Sequence, residues 1–270
     1  MKYVILILFL FFLFALMVPK RVPRFFRRFG RSVGDLGRMG KELLDGTEVE
    51  NSPLARYEVG AGEMVAAKLL AENPWTRDEA LQRRISEMGA RLATNALRKE
   101  IPYRFAVVES AEPNAFAVPG GSIFITRPLL DLCEHEPSRI ACVLGHEVIH
   151  VDRRHAVQNL AASVVVRTGL QVASLGRAAI LSTFAGGIEQ LLVQGYRQDQ
   201  ELEADLFGAR LARLVGFDPR GMIELLERLG KRHPDGTGTL AEVLQYFKSH
   251  PPASERIAKL KRDFGKNYRE

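Results

Sequence analysis

A chain of 270 residues with 46% hydrophobic and 26% charged content has the size and apolar fraction of one globular domain with an appendage. With unexceptional Gly and Pro and no fixed repeat, it is not a disordered, collagenous or solenoid chain. Its net charge of +6 is matched by Lys20, Arg21, Arg24, Arg27, Arg28 and Arg31 alone, a run without Asp or Glu. No zinc-finger, helix-turn-helix or RNP-like pattern accompanies that run, so no nucleic-acid partner is expected.

Tyr3 to Val18 is an uncharged run of sixteen residues. As a helix it covers about 24 Å, slightly less than the ~30 Å hydrocarbon core, and Lys2 and Lys20 can snorkel across the difference. The small residues of a cleavage site are missing after the run, which favours an uncleaved membrane anchor over residues 1–19 rather than a removed signal peptide. No Cys follows it, which argues against a lipoprotein. Residues 20–53 read as a basic juxtamembrane linker, so that residues 1–31 contact the membrane and its anionic headgroups, and the globular domain is expected over 54–270. The positive-inside rule puts that domain in the cytoplasm, although export signals carry long domains across regardless of downstream charge and the extracytoplasmic face stays open.

Apolar residues at helical spacing predict two helices between Ala55 and about Leu97, separated near Pro74. Tyr103 to Val108 is rich in strand formers, and Ala115–Val118 and Ser122–Thr126 flank Pro119, Gly120 and Gly121 as the arms of a hairpin. These predict a small antiparallel sheet. Pro128 to Val215 is helical almost throughout, and Gly216, Asp218, Pro219 and Gly221 punctuate the chain before another helix. The class is α+β, mostly helical, with one N-terminal transmembrane helix ahead of it. Leu160–Leu192 is poor in charge, but its longest uncharged stretch, Ala178–Ile188, has eleven residues. That is too short for a span, so tightly packed core helices are expected there. Cys133 and Cys142 read as buried small apolar residues, with a disulfide as the lesser alternative.

The chemistry concentrates in His146-Glu147-Val148-Ile149-His150, on a helix expected from about Ser138. Residues four apart share a helix face, so His146 and His150 can bind one Zn²⁺ while Glu147 reaches a water on it. Chance alone can produce this pattern, and the apolar neighbours Val143, Leu144, Val148 and Ile149 supply the buried setting it requires. A hydrolytic zinc site takes three protein ligands, and Glu201 is the best third donor. Asp205 lies on its face and can orient a ligating His, whereas Glu203 points away. The plainer reading of 201–205 is a solvated acidic helix surface. Zinc, one per chain, would activate water, and Glu147 would act as general base and then protonate the leaving amine. His250 and Tyr196 are candidates for a further donor to the oxyanion, and His250 for gating the zinc. His155 is expected to orient or cap the helix end.

HEVIH, followed by Arg154-His155 and some fifty residues later by Glu201-Leu202-Glu203-Ala204-Asp205, resembles the gluzincin metallopeptidases of the HtpX and CAAX prenyl protease type, particularly their Oma-like branch. Asn114–Gly121 looks like that family's hairpin, and Ser249–Ile257 is similar to its C-terminal segment, so the likeness extends over most of residues 55–260. The resemblance implies a zincin-like fold, His146, His150 and Glu201 as zinc ligands, Glu147 as general base and Asp205 behind the ligands. It also implies polypeptide substrates in membrane or envelope protein quality control. The sequence departs from the family where an Arg often stands three residues before the ligand Glu: Gln198 occupies that position and Arg197 the one before it.

The function expected is a membrane-anchored zinc endopeptidase whose substrate can be added as a strand at the 114–126 hairpin. The alternative is a zinc-containing, non-catalytic chaperone or adaptor at the membrane, against which the intact Glu147 argues. A hydrolase of another substrate and a binder acting through residues 20–31 are further alternatives.

Overall fold

The computed structural model describes residues 53–160, 177–231 and 253–265. The expected anchor, the expected linker apart from its last residue, Pro53, and His250 lie outside the described residues. Helices α1 (Pro53–Glu72) and α2 (Glu79–Ala93) precede strands β1 (Arg104–Val108), β2 (Ala115–Val118) and β3 (Ser122–Thr126). The chain continues through α3 (Arg127–Leu132), α4 (Pro137–Asp152), α5 (Arg177–Gln194), α6 (Gln198–Leu214), α7 (Gly221–Lys231) and α8 (Ala253–Phe264). Among the described residues no helix is long and apolar enough to cross a membrane. Cys133 and Cys142 are free and buried.

Local sequence accounts for the helix boundaries. Asp78 caps α2 by accepting a hydrogen bond from the Leu81 amide at 2.9 Å, and Leu81, Ile85, Met88 and Leu92 form its buried face. Helix α4 begins at Pro137, where the missing N–H costs nothing, and the Glu136 carboxylate accepts from the Arg139 amide at 2.8 Å.

The sheet corrects one expectation. Its order is β1-β3-β2; β2 and β3 are the expected antiparallel hairpin, but β1 pairs parallel with β3. The central strand β3, like its neighbours, is buried on both faces. Ile123 and Ile125 enter the core shared with α2, α4 and α6, while Phe124 enters a second core shared with α1 and α5. Residues 109–114 carry the chain past β3 to the far edge, and since the Gly120–Gly121 turn makes β2 antiparallel to β3, β1 and β3 run the same way and pair parallel. Phe184, Ala185 and Ile188 of α5 belong to that second core, as expected of packed helices in the part of the charge-poor segment that is described.

The two sheet edges differ. Outside β1, the Thr76 amide donates to the Val107 carbonyl at 3.0 Å and the Glu109 amide to Pro74 at 2.9 Å, with Trp75 bridging Val108. Outside β2, no strand pairs among the described residues.

Candidate metal centre

Helices α4 and α6 carry the site and pack on each other more extensively than any other described pair. Their crossing depends on two glycines. A Cβ on Gly145 would lie 2.5 Å from the Gly208 carbonyl oxygen, and one on Gly208 would lie 2.5 Å from the His146 amide nitrogen. Backbone thus meets backbone one residue before His146, and this brings Glu201, two turns earlier on α6, against the paired histidines.

The structure brings His146, His150 and Glu201 together as a cluster that could hold a metal ion, with one donor atom from each lying within 4.8 Å of the others. His146 Nε2 and His150 Nε2 are 2.9 Å apart. Glu201 Oε1 lies 3.4 Å from His150 Nε2, and Oε2 lies 3.6 Å from His146 Nε2. All three residues are buried. Burial lowers the pKa of His146 despite the neighbouring Glu201 and Asp205, so its ring is neutral. Its Nδ1 faces Asp205 Oδ1 at 2.9 Å and donates there, which leaves the Nε2 lone pair directed at the cluster. Two imidazole nitrogens and a carboxylate converging in this way match the donor set of a three-ligand zinc site with an open position.

Asp205 is itself held by α8. The Arg256 guanidinium donates to it through Nε at 2.6 Å and Nη2 at 2.7 Å, and its Nη1 is 3.5 Å from Glu201 Oε2. Against the burial that would raise it, the Arg256 charge and hydrogen bonds, together with His146, hold the Asp205 carboxyl at about 2. Sequence reasoning assigned no role to Arg256. A signal was present, because Arg256 shares with Leu260 and Phe264 the four-residue spacing of the buried face of α8, where an Arg needs a buried anion.

Glu147, on α4 between the two histidines, is 2% exposed. Tyr196, just before α6, lies flat against the His150 ring, with centroids 3.8 Å apart and planes at 17°. Burial, with Glu147 and Glu201 nearby, raises its pKa, so the phenol keeps its proton. Arg197 is on the surface, paired with Asp199, and Gln198 bonds to Glu255; neither enters the cluster. Glu203, expected to point away, stays out of the cluster but is engaged behind it: its Oε1 is 3.0 Å from Arg153 Nε, and its Oε2 is 3.5 Å from His155 Nε2.

This fold and donor set define a candidate metalloprotein whose site lies between two crossed helices. The chain belongs to Peptidase family M48, whose family model matches residues 79–263. It is 29% identical over 213 residues to the beta-barrel assembly-enhancing protease of Yersinia pestis, a match covering 74% of this chain and 42% of that one. It is also 29% identical over 178 residues to the mitochondrial metalloendopeptidase OMA1 of Schizosaccharomyces pombe, covering 65% and 51%. Over 180 residues it is 29% identical to metalloprotease YcaL of Escherichia coli K12, covering 63% and 68%. The chain matches only about two-fifths to one half of the length of the first two relatives.

Proposed function

We propose that the chain is a zinc-dependent endopeptidase with His146, His150 and Glu201 as metal ligands and Glu147 as general base. The observation that carries this reading is the buried convergence of those three donors beside a carboxylate that the ligand set does not use. Bound there, Zn²⁺ supplies Lewis acidity toward a peptide carbonyl and toward the water that attacks it. Glu147 takes the proton of that water and delivers it to the leaving amine. Asp205, clamped by Arg256, fixes His146 with Nε2 facing inward. The Tyr196 hydroxyl, kept protonated, is a donor for the carbonyl oxygen as it gains negative charge; His250 is the other candidate for that role and for gating.

The edge of β2, which no strand pairs among the described residues, supports an extended polypeptide as substrate, since main-chain pairing there would extend the sheet. Beside the start of β2 is a cavity of about 420 Å³ whose wall combines Leu69, Phe116 and Leu192 with Lys68, Glu72 and Glu189, room for a substrate side chain. The uncharged Tyr3–Val18 run and the basic block after it support an N-terminal anchor at residues 1–19, a linker at 20–53 and a catalytic domain at 54–270, with the cytoplasmic face favoured by the basic block and the extracytoplasmic face as the alternative. Relatives whose names join proteolysis to β-barrel assembly support substrates at a membrane.

The test is zinc content and casein cleavage for the full chain in detergent, beside Glu147→Gln. The expected result is about one zinc in each protein, with cleavage reduced on the order of a hundred-fold or more in the variant. Equal cleavage by both proteins rejects Glu147 as the base, and absence of zinc from the parent rejects the ligand set.

A further inference from the structure

Helix α4 stops at Asp152, and Arg154 adopts a left-handed φ of 54°. On a continuous helix a residue five places after His150 would be rotated about 140° from it. The reversal at Arg154 instead turns residue 155 back, and His155 Nδ1 lies 2.9 Å from His150 Nδ1. His155 is 1% exposed, too buried to be an incidental surface contact.

The proton positions follow from the surroundings. His150 turns Nε2 toward His146 and Glu201, and a nitrogen that ligates a cation must offer its lone pair. The single proton of a neutral His150 ring is therefore on Nδ1, and His155 Nδ1 must accept it. His155 then carries its own proton on Nε2, the atom facing Glu203 Oε2 at 3.5 Å. Arg153 holds the other oxygen of that carboxylate and lies over the Phe207 ring, 4.9 Å from its centroid.

We infer that His155 is a positioning residue for the metal site, fixing the tautomer of His150 as a neutral hydrogen-bond acceptor. This rests on the proposed ligand set. The two histidines are thus supported differently: His146 by a carboxylate that Arg256 neutralises, and His150 by an imidazole. Ligating histidines commonly donate their second N–H to a carboxylate or carbonyl, which raises their basicity. An uncharged acceptor orients His150 without placing another anion against the ligands, so a bound cation keeps more of its Lewis acidity.

The test uses the full chain, zinc alone as the probe, and a competing chelator. His155→Phe fills the site without an acceptor, and His155→Asn places an amide oxygen near the position of Nδ1. Zinc affinity is expected to fall about 10- to 100-fold in the Phe variant and to return to within a few-fold of the parent in the Asn variant, with melting temperatures of the metal-free proteins monitored alongside. Parental affinity in the Phe variant overturns the inference, as does equal weakening in the two variants. Imidazole ¹⁵N shifts of the zinc-loaded parent supply a reading independent of variant folding. A protonated Nδ1 on His150 and an unprotonated one on His155 support the inference, and the reverse overturns it. If the parent binds no zinc, the ligand set itself fails, an outcome distinct from these.

Discussion

Cys133 and Cys142 are unpaired and buried within the principal core. Burial pushes the Cys133 thiol up to about 12 and raises Cys142 as well. Since the thiolate, not the thiol, is the reactive form, iodoacetamide at pH 8 should leave both residues unmodified in the folded chain and alkylate both in urea, as mass spectrometry can count. The sign of the pH effect follows from the raised value. The stabilisation from keeping the thiol neutral is complete below the unfolded pKa of about 8.5 and is lost as pH rises from there toward about 12. Each such thiol contributes up to about 1.4 kcal/mol per pH unit across that window. Urea midpoints between pH 8 and 11 should therefore decline less steeply in Cys133→Ala than in the parent.

At the scale of elements, the site depends on how closely α4 approaches α6. Gly208→Ala puts a methyl group 2.5 Å from the His146 amide nitrogen, and backbone on both sides leaves no flexible side chain to yield. The expected cost is about 1–3 kcal/mol, together with weaker zinc binding as Glu201 is displaced from the histidines. Gly186→Ala, on the exposed side of α5 where an added Cβ meets nothing within 4 Å, is the control. There the gain in helix propensity should be neutral to stabilising by up to about 1 kcal/mol. Chemical denaturation of the two variants beside zinc titration checks both outcomes; equal stability of the two would reject the tight crossing.

Across the whole molecule, one buried ion pair ties distant parts of the chain to the end of the helix that carries His146 and His150. Arg98 and Glu58 are each 1% exposed, with Nη1 to Oε1 at 2.8 Å and Nη2 to Oε2 at 3.1 Å. Arg98 Nη1 also donates to the Val151 carbonyl at 3.0 Å, and the Asp152 carboxylate accepts from the Leu97 and Arg98 amides. Helix α1, the α2–β1 connection and the end of α4 are thereby joined. Glu58→Gln leaves the guanidinium buried without a full counter-charge, and should cost about 3–5 kcal/mol. Because the pair is shielded from solvent, that loss should be nearly independent of salt, which urea midpoints at low and high ionic strength can determine. Much of this architecture was legible in the chain alone, because helical and two-residue periodicities, Asp78 before α2, the glycine turn between β2 and β3, and the i, i+4 spacing of His146 and His150 are local signals. The same spacing put Glu201 and Asp205 on one face of a later helix. The parallel pairing of β1 with β3, the clamp of Arg256 on Asp205, the return of His155 onto His150 and the Arg98–Glu58 pair were decided only by the tertiary structure. Each joins side chains or strands through a chain reversal or a helix crossing, and the partner is then set by which faces bury together, a property that no local period in the sequence encodes.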